Sequence, residues 1–194
     1  MIRAMALPFA VMLLAGCGYD STGSAAPTPE ATAQDGFVLT SPALTDDGML
    51  PADLKCTRDG GDGLTPPLEW TQVPAGTESL SIIMHHYPRD TVEGKDPPSQ
   101  YWLLWNIPVQ TWALPRGNPA SIGDEGADKD EKRTGYTSPC SPPGSRHEYI
   151  ITLYALDGPL DKLPAHDDGN VDWATMTSAM EGKIIAASSL SFHN

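Results

Sequence analysis

Three runs constrain this chain more than anything else in it: Ser79 to His86 (SLSIIMHH), Tyr101 to Ile107 (YWLLWNI) and Glu148 to Leu156 (EYIITLYAL). Each has strand length and is rich in β-branched, aromatic and long aliphatic residues. The middle run is apolar on both faces, which predicts a central strand covered on both sides. Shorter strand signals lie at Phe37 to Thr40, at Leu68 to Trp70 and at Lys183 to Phe192. Between them, residues 41–67 and 108–146 are punctuated by Pro, Gly and Asp and read as loops. The second carries an acidic stretch, GDEGADKDEKR, whose residues 124–131 read as a solvated loop. Val171 to Met180 is the best helix, with Asp172 favourable to its N-terminus and Gly182 a stop signal. No internal repeat appears. Strands joined by long loops, with one late helix, predict a mostly β sandwich with one or two short helices.

A chain of 194 residues is about one domain and needs no metal to complete a core. The formal net charge of −13 argues against nucleic acid, because neutralising phosphates takes a basic stripe. It argues equally against general adhesion to anionic lipid.

Residues 1–16 read as an address. Arg3 is followed by an apolar run from Ala4 to Ala15, too short to span a bilayer as a helix. The run ends in Leu14-Ala15-Gly16-Cys17, which resembles a bacterial lipoprotein lipobox. The resemblance implies cleavage before Cys17 and lipidation of that cysteine; an ordinary secretory signal with a chance cysteine is the plainer alternative. Residues 17–35 then form a small, polar, Pro-dotted tether that cannot bury enough surface to order itself. Residues 36–194 are the globular domain. Gly18 resembles an outer-membrane sorting signal, so the expected location is the bacterial cell envelope, at the outer membrane in a Gram-negative cell. With Cys17 set aside, Cys56 and Cys140 remain. An oxidising compartment favours a disulfide between them; two buried thiols stay open as the alternative, because sequence does not give their separation.

Several separated segments line up in order: Ser41-Pro42-Ala43 with Asp47-Gly48; Thr65-Pro66-Pro67-Leu68-Glu69-Trp70; Val73-Pro74-Ala75-Gly76-Thr77; Trp102 through Pro108; Tyr136 with Ser138-Pro139-Cys140 and Pro142-Pro143-Gly144; His147-Glu148-Tyr149; and Tyr154-Ala155-Leu156-Asp157. The ordered set resembles the phosphatidylethanolamine-binding protein family, in its bacterial Raf-kinase-inhibitor-like branch, over about residues 36–194. The resemblance implies a two-sheet antiparallel β-sandwich with a small anion-binding cavity at one end. In the family, an Asp-Pro-Asp-x-Pro loop, a His opening the central strand and a His-x-Tyr segment line that cavity. Here the first Asp falls on His86, the Pro on Tyr87, the second Asp on Pro88, and the strand-opening His on Tyr101. A His86–Tyr101 couple thus stands where the family has an Asp–His couple. His147 and Tyr149 keep the matched positions. The implied ligand-binding set is His86, Tyr101, Pro139, His147 and Tyr149, with anions held better once His86 is protonated near or below neutral pH.

Plainer readings stand beside these. His86 and Tyr101 are equally readable as a buried hydrogen bond that stabilises the sheet. His85 alternates with His86 and faces the other way. His166 and His193 read as solvated, and the five tryptophans as core. Three imidazoles, His85, His86 and His147, are a weak metal candidate without helical spacing or a carboxylate companion. Cys140 with His147 makes a nucleophile only if the thiol is free. Asp59 to Gly63 misses the ligand periodicity of a calcium loop.

The function expected is therefore that of a lipid-anchored, exported binding protein for a small anion, either phosphate or a phospholipid head group. It has no catalytic motif and calls for no cofactor or metal. The alternative is an interaction or inhibitor module with a vestigial pocket, meeting a protein partner or a second copy of itself. A metal-dependent hydrolase ranks third.

Overall fold

The computed structural model describes residue 29 and residues 32–44, 47–117 and 122–194. The expected signal segment, the lipidation site Cys17 and most of the tether lie outside the described residues.

Among the described residues, eight strands and one α-helix make up the domain: β1 (Val38–Thr40), β2 (Leu68–Thr71), β3 (Ser79–His86), β4 (Ser99–Pro108), β5 (Ala113–Leu114), β6 (Asp124–Glu125), β7 (Glu148–Leu156), α1 (Trp173–Met180) and β8 (Ile184–His193). Two 3-10 turns, at Ala52–Leu54 and Thr57–Asp59, interrupt the first long loop. All strand pairings within the two sheets are antiparallel. The small sheet runs β1-β2-β5 and the large one β6-β4-β3-β7-β8.

Side-chain alternation explains the layers. On β3, Leu80, Ile82 and Met84 face the small sheet and meet Leu39, Leu68, Trp70 and Leu114 there. Ile83 faces the opposite way, into a second cluster with Leu103, Trp105, Tyr154 and the helix residues Trp173, Met176 and Met180. Both faces of the large sheet are thus covered, which is why β3 is buried at every position and reads as a continuous apolar run. Burying a large aliphatic side chain contributes about 1.5–3 kcal/mol, so the two clusters carry most of the fold's stability. Trp102 and Trp105 are fully buried yet satisfied: their indole N–H groups donate to Glu125 Oε1 at 2.7 Å and to the Pro164 carbonyl at 3.1 Å. Trp112 departs from the expectation that every tryptophan is core; it is 69% exposed.

Two bulges shape β4. Met84 pairs with Trp102 but His85 with Gln100, so Tyr101 has no partner across from it. Consecutive residues Tyr101 and Trp102 consequently join the same inter-sheet cluster. At the other end the register slips again, and Asn106 there takes a left-handed conformation with φ 54°. Its side-chain oxygen accepts from the Leu160 N–H at 2.8 Å.

The second long loop is more ordered than its composition suggests. Ala113–Leu114 and Asp124–Glu125 extend the two sheets, the latter pairing with Leu104 and Trp105. Asp128, expected in solvent, is buried. Its carboxylate accepts from the backbone N–H groups of Asp130 and Lys132 and from Arg133 Nε. Burial pushes its pKa up, but the hydrogen bonds at Lys132 and Arg133 outweigh that and leave it below the usual carboxylate range. The helix begins at Trp173, two residues later than expected, because Asp172 is its cap and accepts from Thr175 N–H at 2.8 Å. His193 closes β8 and is only half exposed, with Met49 bridged to it, so it is not the free terminal residue expected. His166 is exposed.

Candidate functional site

The loop that carries the candidate site is fixed from three sides. Cys56 and Cys140 form a disulfide across 84 residues of chain, which decides against two free thiols and removes the Cys140–His147 nucleophile. Beside it, Cys56 N–H donates to the carbonyl of Pro139 at 3.3 Å. Pro142-Pro143-Gly144-Ser145 then makes a tight turn, with Ser145 N–H bonded to the Pro142 carbonyl at 3.0 Å and Gly144 at φ 81°. Proline second and glycine third is what such a turn demands. Beyond it, His147 exchanges two backbone hydrogen bonds with Asn194, at 2.9 and 3.0 Å.

These constraints set His147 against His86, the last residue of β3. The two rings stack with centroids 4.8 Å apart and planes 8° apart. His86 Nδ1 lies 2.8 Å from the Glu148 carbonyl oxygen. A carbonyl only accepts, so the ring donates from Nδ1 and leaves Nε2 for a ligand. Burial lowers the His86 pKa below its ordinary 6.5; the bond to Glu148 opposes this and the neighbouring His147 ring adds to it. Protonation near neutral pH, expected from sequence, is thus resisted by the site itself.

A cavity of about 410 Å³ opens beside the pair, lined by His86, Tyr87, Arg89, Arg146, His147 and Glu148, with Gly144, Ser145 and Ile150 completing the wall. Of the expected residues, His86 and His147 line it. Tyr149 is buried behind, its ring 5.1 Å from that of His86 and its hydroxyl 3.3 Å from Ser141 Oγ. Tyr101 sits deeper against Tyr149, at 5.0 Å and 84°. Burial, reinforced by the neighbouring Tyr149, raises its pKa far above the ordinary phenol value, so it stays a neutral donor. The expected His86–Tyr101 couple is an edge contact at 6.4 Å with no hydrogen bond between them, because His86 is turned toward Glu148 instead. Pro139 is buried at the loop base and does not line the cavity.

His85 points into the helix-side cluster, where it contacts Tyr87 and Trp173. The three imidazoles considered for a metal therefore do not converge. Among the described residues, the one grouping of ligand type is Cys56, Asp59 and Cys140, and its sulfurs are spent in the disulfide.

Sequence reasoning missed Arg89 and Arg146. They lie beside the two expected histidines, and two cations there in a chain of net charge −13 was the available signal. Guanidinium groups present forked donors suited to phosphate or carboxylate oxygens.

The two-layer antiparallel sandwich carries a polar, cation-lined cavity at one end of its central strands, the kind of concavity in which small ligands are bound. The phosphatidylethanolamine-binding protein family model matches residues 40–193, and the chain belongs to that family. It is 31% identical over 159 residues to the UPF0098 protein of Methanothermobacter thermautotrophicus, covering 78% of this chain and 94% of that one. Among solved structures it resembles a phosphatidylethanolamine-binding protein homolog of Chlamydia trachomatis, with TM-score 0.67, 29% identity, and 83% and 98% of the two chains covered. YbcL of Escherichia coli shares the fold, with TM-score 0.66 at 21% identity over 81% of this chain and 97% of that one.

Proposed function

We propose that this protein is a lipid-anchored, exported binding protein whose cavity holds a small anion, either phosphate or a phospholipid head group. The observation that carries the reading is the convergence of Arg89, Arg146, His86 and His147 on one cavity of about 410 Å³. Imidazole N–H and guanidinium donors satisfy phosphate oxygens, and a proline-set loop held by a disulfide has little conformational freedom left to lose on binding. Export and anchoring rest on the Leu14–Cys17 motif and the polar tether after it; the Cys56–Cys140 disulfide favours the same oxidising compartment. The reading is one of binding, not catalysis. Calorimetry with inorganic phosphate tests it: the wild type binds, and Arg89→Gln with Arg146→Gln weakens binding at least about tenfold. No heat at any phosphate concentration would refute it.

One observation favours a second reading, that of an interaction module. Trp112, next to β5, is 69% exposed. If that ring seats a second copy of the chain, sedimentation shows a dimer that Trp112→Ser dissolves.

A further inference from the structure

The stacked imidazoles limit which anion the cavity suits. His86 lies at the end of β3 and His147 at the foot of β7, and with Nδ1 of His86 committed to the Glu148 carbonyl, Nε2 is where that ring gains or loses a proton. Two positively charged rings 4.8 Å apart repel each other, so a second charge on the stack needs a counter-charge. The groups around His86 are Tyr87 and Arg89 following β3, Tyr101 on β4, Glu148 and Tyr149 on β7, and Arg146 and His147 from the preceding loop; His85 lies on the opposite face of β3. Of these, Arg89 and Arg146 carry positive charge and Glu148 negative charge. Burial and the neighbouring His147 keep the His86 ring neutral through the pH range above its ordinary value. One negative charge on a ligand is answered by the net charge of the guanidinium groups against Glu148. A second negative charge is answered only by a proton on the stack.

We propose that the cavity selects terminal phosphate monoesters, bound as dianions, and that binding takes up one proton onto the His86–His147 pair. The proposal rests on the anion-cavity reading above. The proton comes from solvent and resides at Nε2 of His86, facing the ligand; no covalent bond changes. A phosphodiester, as in an intact phosphatidylethanolamine, carries one negative charge and presents two free oxygens, so it draws no proton and binds more weakly. The same monoester chemistry is available from a soluble phosphate ester or from a lipid ending in phosphate, such as phosphatidic acid.

Calorimetry on the full chain in detergent, in buffers of different ionisation enthalpy, tests the proposal. The probes are phosphorylethanolamine, glycerophosphorylethanolamine, and the dihexanoyl forms of phosphatidic acid and phosphatidylethanolamine. The monoester of each pair should bind at least about tenfold tighter, with uptake approaching one proton and affinity falling nearly tenfold between about pH 7 and about pH 8. His86→Gln keeps a donor for the Glu148 carbonyl but no titrating ring; it should abolish the uptake and the pH slope while leaving weakened binding. Arg146→Gln, at an exposed position, should weaken every probe and leave the uptake in place. Tighter binding of phosphorylethanolamine than of phosphatidic acid assigns a soluble ligand, and the reverse a lipid; both support the proposal. Equal affinities within the pairs and no proton uptake overturn it while leaving the anion cavity standing. No binding of any of the four overturns both.

Discussion

The imidazoles of His86 and His147 lie face to face, 4.8 Å between centroids and 8° between planes, where two strands and a disulfide-anchored loop meet. This contact joins fold and chemistry. β3 ends on His86 because Pro88 follows, and His147 is held by its paired hydrogen bonds to Asn194. The backbone beneath each ring is thus held by pairing, His86 with Ser99 of β4 and His147 with Asn194.

Removing one ring should change the other. His147→Ala removes the neighbouring imidazole and part of the cover over His86, and both have held its pKa down. The His86 pKa should therefore rise toward its ordinary 6.5, read from the ring carbon shift against pH by NMR. An unchanged or lowered value would contradict the account of the pair. The same substitution should weaken phosphate binding about tenfold or more.

His85 predicts an acid sensitivity separate from the cavity. It is 2% exposed, its two ring nitrogens have no hydrogen-bond partner, and burial pushes its pKa down to about 4. The unfolded chain takes a proton at about pH 6.5 while the folded one refuses it until about pH 4, so the unfolded state binds more protons in that window. Stability should be full above pH 6.5 and fall as the pH drops toward 4, by about 3 kcal/mol in all. His85→Phe removes the buried nitrogens and keeps a ring against Trp173. Urea melts should then show a flatter pH profile over that range, with stability near neutral pH unchanged or raised by about 1 kcal/mol. An undiminished slope would place the acid sensitivity elsewhere.

The disulfide closes a separation of 84 residues, and constraining a loop that long is worth about 4.5 kcal/mol in the chain-entropy account. Reductant, or Cys56→Ser with Cys140→Ser, should lower the denaturation midpoint accordingly. Phosphate affinity should fall as well, because Cys140 anchors the loop that carries Arg146 and His147. Equal midpoints with and without reductant would contradict this.

Cys17→Ser addresses the anchor. The wild type should fractionate with membranes and carry lipid mass at Cys17. The variant should remain unprocessed and lack the lipid; identical processing and attachment would remove the anchor from the account.

Much of the fold was legible because burial on both faces leaves a mark in sequence. β3, β4 and β7 announced themselves as apolar runs, and the ordered proline and tryptophan motifs identified the family that residues 40–193 match. Polar segments were harder. Asp124–Glu125 pairs with β4 through backbone bonds that no side-chain pattern encodes, and Asp128 is buried because its own turn supplies donors to its carboxylate. The site was half legible. His147 came from a matched position and His86 from the position where the family has Asp. Arg89 and Arg146 did not, because they lie in loops where a cation reads as solvated until the loops are seen to converge. His86 turns to the Glu148 carbonyl rather than to Tyr101, and the β4 bulge that leaves Tyr101 without a partner on β3 is a single-residue register slip invisible to alternation.

The central claim is that this cavity binds anions through its histidine and arginine wall. Backbone amide NMR shifts on titration with phosphorylethanolamine, at about pH 6 and about pH 8, test it most directly. Shifts should cluster at His86, Arg89, Arg146, His147 and Glu148 and be larger at the lower pH. Shifts spread over the surface, or none at either pH, would contradict it.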